Sequence, residues 1–126
     1  MLTAQQQAFV QALEELDLQQ VQRLLTDGLS LNFIDPEKGP VISVWSDGLF
    51  KWWEAICEAY EAGAPLSEQE KQQTLAVHLD ILEQLIHGKA NLHLWDTEEI
   101  YGPLWDAASA ACAPAVKRLL DEKVDP

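Results

Sequence analysis

Three times along this chain an apolar helical stripe stops in the same way: L-L-T-D-G-L-S-L-N at residues 24–32, L-I-H-G-K-A-N-L-H at 85–93 and L-L-D-E-K-V-D-P at 119–126. Superposing the three makes Leu25, Ile86 and Leu120 equivalent, at separations of 61 and 34 residues, with Cys57 between the first two. A short helix pair with one apolar stripe cannot bury that stripe alone. Each copy therefore needs a neighbour stacked on it, and the recurrence points to an array rather than to a bundle with unrelated helices.

The helical periods around these stops can be traced. Thr3 is a candidate N-cap for a helix that carries Phe9, Ala12, Leu13 and Leu16 on one face. After a break at Asp17, Val21, Leu24 and Leu25 form a second stripe, which Gly28 can end in the left-handed conformation. Residues 29–39, with Asn32, Asp35-Pro36 and Gly39, read as a loop. Pro40 opens a helix that the Asp47-Gly48 pair should end, and Trp52, Trp53, Ile56, Cys57 and Tyr60 form a separate face up to Gly63. Ser67 with Glu70 is a capping-box pattern at the start of one long helix, with Leu75, Leu79, Leu82, Leu85 and Ile86 as its stripe. Residues 91–101 alternate and turn as a hairpin does, and a last helix pair follows from Pro103.

That last pair carries a more specific signal. Gly102-Pro103-Leu104-Trp105 with Ala107-Ala108 resembles the T-P-L-H-x-A-A opening of the inner helix of an ankyrin repeat. Val116, Leu119 and Leu120 are similar to its outer-helix pattern, and residues 123–126 to the G-A-D-P that follows, with Lys123 in the glycine position. Near the amino terminus Ala12-Leu13 falls at the double-alanine position, followed by Val21, Leu24, Leu25, Gly28 and Asn32. The spacing near 33 residues is the ankyrin period. The resemblance implies an all-α solenoid of stacked helix-turn-helix units with short hairpin-like loops, one domain over residues 1–126. Its approximate repeats are 3–36, an enlarged 37–96 and 97–126. Two degenerate repeats in the middle are the alternative to one enlarged repeat.

Such folds meet protein partners at the loop tips and the inner-helix face. Carried onto this chain, that face implies Asp35, Glu37 and Lys38 from the first loop, Trp95, Thr97, Glu98, Glu99 and Tyr101 from the second, and Ser46, Asp47, Asp106 and Ser109 from the inner helices. The implied function is a non-enzymatic protein-binding module. An inhibitor or immunity protein masking a basic toxin or nuclease is an alternative, as is a structural segment of a longer array, with a monomer or weak self-association expected.

Composition decides what is excluded. Twenty-one acidic residues against eight basic ones give a net charge of −13, a field that repels nucleic acid and anionic membranes and favours a basic protein partner. No apolar run reaches the length of a membrane span. The opening M-L-T-A-Q-Q-Q-A lacks a basic segment followed by an apolar core, so cytoplasmic residence is expected. The histidines His78, His87 and His93 form no i, i+4 pair, and neither C-x-x-C nor H-E-x-x-H occurs, so no metal site or cofactor is expected. No G-x-S-x-G or glycine-rich phosphate loop is present, and no catalytic residue is assigned. Cys57 and Cys112 read as buried free thiols. Trp45 and one of Trp52 and Trp53 should fill the core, because adjacent helical residues project about 100° apart and cannot share one buried face.

Overall fold

The computed structural model describes residues 2–93, 103–110 and 112–124. Among them are six helices, α1 (Ala4–Glu15), α2 (Leu18–Thr26), α3 (Val41–Glu61), α4 (Glu68–His87), α5 (Pro103–Ser109) and α6 (Ala113–Asp121). Two short strands, β1 (Ile34–Asp35) and β2 (Gly39–Pro40), form an antiparallel ribbon between α2 and α3. The chain is therefore mostly helical with one small ribbon in what the sequence presents as a loop.

Local chemistry fixes the helix starts. The Thr3 hydroxyl accepts from the Gln6 amide at 3.1 Å while the Gln6 side chain accepts from the Thr3 amide at 2.9 Å, closing a reciprocal capping box. Asp17 and Ser67 cap α2 and α4 through the amides of Gln20 and Glu70, each at 3.1 Å. Pro40 precedes α3, and Pro114 occupies the first turn of α6, where its missing N–H costs nothing.

The helices pair as α1/α2, α3/α4 and α5/α6, and the pairs stack. Helix α3 lies between α1 and α5 in one row. In the other row α2 packs on α4, and Arg118 of α6 reaches Glu83 of α4. One contiguous core runs through both rows. It takes Phe9, Val10 and Leu13 from α1, Val21 and Leu24 from α2, Ile42, Trp45 and Leu49 from α3, Ile81, Leu82 and Leu85 from α4, and Ala107 and Leu119 from the last pair. Phe33, just before the ribbon, meets Phe9 edge-on at 6.4 Å between ring centroids.

The second helix of every pair ends in the same backbone closure. Gly28, Lys89 and Lys123 sit in the left-handed region at φ 91°, 61° and 62°. Their amides donate to Leu25, Ile86 and Leu120, and the amides of Leu29, Ala90 and Val124 donate to Leu24, Leu85 and Leu119. Leu24, Leu85 and Leu119 are buried in each case. The first helices share a closure too, since Asp17, Ala64 and Cys112 donate to the carbonyls of Ala12, Ala59 and Ala107. Ala12 and Ala107 are both buried.

The middle pair departs from its neighbours in length. The Asp47-Gly48 stop expected from the sequence does not occur: α3 runs straight through it for 21 residues. A glycine inside a helix costs roughly 1 kcal/mol, and the burial of Trp45 and Leu49 on either side of Gly48 outweighs that local preference. Beyond Ile56, which is still buried, the helix leaves the stack. Cys57 is exposed, correcting the buried thiol expected there, whereas Cys112 is buried. Tyr60 is 74% exposed, and every residue from Tyr60 to Glu70 is open to solvent. Helix α4 mirrors this, with its buried positions beginning only at His78. Trp52 and Trp53 are both half-buried against the core, so neither takes the fully buried place expected for one of them.

Candidate functional site

The ribbon is built to hold its acidic tip. Ile34 pairs with Pro40 and Asp35 with Gly39, and Gly39 supplies the φ of 87° that the return requires. The Asp35 carboxylate accepts from the amides of Glu37 and Lys38 at 2.8 and 3.0 Å, fixing the turn. The Lys38 ammonium then reaches Glu14 of α1 at 2.6 Å and ties the tip to the first-helix row. That hydrogen bond, followed by the Glu14 charge, raises the affinity of Lys38 for its proton.

Between the tip, α1 and α3 lies a cleft of about 380 Å³ lined by Glu14, Glu37, Lys38, Val44, Asp47, Gly48 and Lys51. Asp47 pairs with Lys51 one turn along α3 at 2.9 Å, and the bond holds Lys51 protonated. The lining carries three carboxylates and two ammonium groups, with Glu37 exposed and Asp35 holding the turn behind it. The cleft is open over Gly48, where a Cβ would meet nothing within 4 Å.

The next step along the row, between α3 and α5, has a different chemistry. Ser46, 1% exposed, donates its hydroxyl to Asp106 of α5 at 2.8 Å. Burial pushes the Asp106 carboxyl above the ordinary aspartate range and the Asp47 charge adds to the rise, while the Ser46 hydrogen bond pulls the other way. Beside them Phe50 and Trp105 lie 6.0 Å apart with ring planes inclined at 34°. Trp105 is 43% exposed.

Of the residues expected on the binding face, the structure thus gathers Asp35, Glu37 and Asp47 around one cleft and places Asp106 on the adjoining step. Trp95, Glu98, Glu99 and Tyr101, with Thr97, lie outside the described residues. Sequence reasoning passed over Glu14, Lys51 and Phe50. Asp47 and Lys51 were findable from their i, i+4 spacing, but Glu14 and Lys38 stand 24 residues apart and carry no such signal.

Other concavities differ in character. A groove of about 540 Å³ at the α5/α6 end is lined mainly by Ala108, Cys112, Ala113, Val116 and Leu120. Leu120 there is 48% exposed, whereas its equivalents Leu25 and Ile86 pack against the core. His78 on α4 is 2% exposed with neither ring nitrogen hydrogen-bonded, its ring 5.4 Å from that of Trp52. Burial alone pushes its pKa down to about 4. Among the described residues no group of three or more His, Cys, Asp or Glu side chains could hold a metal ion, and no helix is long and apolar enough to cross a membrane. No family model, curated protein or solved structure matches the chain.

Proposed function

We propose that this chain is a non-enzymatic protein-binding module of the ankyrin-repeat type. Its ribbon tip and first-helix row receive a basic protein partner. The observation that carries the reading is the cleft between the tip and the two helices α1 and α3, whose three carboxylates outnumber its two already paired ammonium groups. A net charge of −13 raises the local concentration of cationic partners and speeds their encounter. Support for the ankyrin type comes from three stacked helix pairs whose second helices close identically at the positions that align in sequence. On this reading α3 and α4 are the inner and outer helices of one enlarged repeat.

The test is affinity capture from the source cells on the immobilised chain, run beside a Glu37→Lys/Asp47→Lys variant. Both side chains are exposed, so the reversal leaves the core intact. Recovered proteins should be basic, should elute with rising salt, and should be lost from the variant. Retention of the same proteins by the variant would remove this face from consideration.

A further inference from the structure

We propose that the step between α3 and α5 is an arginine subsite. An arginine side chain of the partner lies across the Phe50 and Trp105 rings with its guanidinium on the Asp47 and Asp106 carboxylates. The proposal rests on the protein-binding reading and names what that partner must present.

Helix geometry brings the four groups together. Ser46, Asp47 and Phe50 stand at i, i+1 and i+4 on α3, so Ser46 and Phe50 share a face and Asp47 flanks it. That face meets α5 at two points, the Ser46 hydrogen bond to Asp106 and the Phe50 contact with Trp105. Adjacent residues of α5 thus offer one carboxylate and one aromatic ring, matching one of each from α3.

The charge on this step is poorly compensated. Asp106 is held by a hydroxyl, which is neutral, and its burial beside a second carboxylate is unfavourable to the anion. Lys51, the cation on Asp47, is itself 70% exposed on its side chain and lies a turn further along α3. From Ala90 to Val116 the sequence contains no Lys or Arg. A cation supplied from outside completes the arrangement.

Arginine fits it better than lysine does. A guanidinium is planar and weakly hydrated, so it can stack on an aromatic face while its forked N–H groups engage carboxylates. A compact ammonium keeps its hydration and gains little from the rings.

The test titrates the full chain with hexa-arginine and hexa-lysine peptides by calorimetry at low and moderate salt. Hexa-arginine should bind about tenfold more tightly than hexa-lysine, and Asp106→Asn and Phe50→Leu should each abolish that preference. Asp106→Asn is isosteric and relieves a half-buried charge, and thermal melts of both variants establish that they are folded. Equal affinity for the two peptides, or a preference that survives Asp106→Asn in a folded variant, overturns the subsite. If both peptides bind equally and Glu37→Lys weakens both, the subsite falls while the broader acidic face stands. If neither peptide binds, the subsite falls, and the capture experiment alone then decides the broader reading.

Discussion

The first helix pair and the middle one close their helices alike and differ in length. Both second helices close with a left-handed residue four positions after a buried leucine, Leu24 in one and Leu85 in the other. Yet α1 and α2 span 12 and 9 residues, and α3 and α4 span 21 and 20. The surplus lies at the end of the pair away from these closures, where residues 57–73 are almost wholly solvent-exposed. The closure is thus the same inside the stack and on the exposed arm, and what distinguishes the pairs is how far their helices reach before the turn that joins them. The middle pair is an ordinary stacking unit with an arm drawn out of it.

If so, stability should divide between stack and arm. Leu85→Ala is expected to cost about 2–5 kcal/mol in urea denaturation, as are Leu24→Ala and Leu119→Ala, because each empties a buried site. Tyr60→Ala on the arm should change stability by less than about 0.5 kcal/mol. A comparable loss at Tyr60 would mean that the arm belongs to the core.

Acid should single out the middle pair. The His78 imidazole titrates near 4 in the folded chain against an ordinary 6.5. Between those values the unfolded chain binds the extra proton, so stability falls as the pH drops from about 7 to about 4. The loss is about 3 kcal/mol and is complete below the folded value. His78→Leu should flatten that dependence, as read from denaturation midpoints across the range. An unchanged slope would mean that other groups govern it.

The packing of the middle pair on the first turns on one position. A Cβ at Gly88 would come within 2.9 Å of Leu31 Cδ1 and 3.0 Å of Leu25 Cδ2, whereas the equivalent residues of the other pairs are Asp27 and Glu122. Gly88→Ala is expected to destabilise by about 1–3 kcal/mol. The opposite sign is expected at Gly48, which has open space around it inside α3: Gly48→Ala should stabilise by about 0.5–1 kcal/mol. Thermal melts of the two variants side by side check both signs.

The closures were readable in the sequence because they are local. Aligning L-L-T-D-G-L with L-I-H-G-K-A and L-L-D-E-K-V puts Lys89 and Lys123 where Gly28 stands, and all three adopt positive φ. A lysine in that conformation carries no signal of its own; only the alignment exposes it. What could not be read was decided at a distance. Asp47-Gly48 is a strong local stop, overruled because Trp45 and Leu49 are buried on both sides of it. Cys57 has the spacing of a repeat position, but it falls on the arm, where no neighbouring helix covers it. At the candidate site, Asp35, Glu37 and Asp47 could be named from the resemblance. The Lys38 link to Glu14 and the half-buried state of Asp106 depend on which helices the stack brings together.

The arm also makes the molecule easy to handle. Its tip at residues 62–66 is exposed at every position, and Cys57 on its flank is an accessible thiol while Cys112 is sealed in the core. A fluorophore, a surface tether or an inserted epitope attached here leaves both rows of helices and the acidic cleft undisturbed.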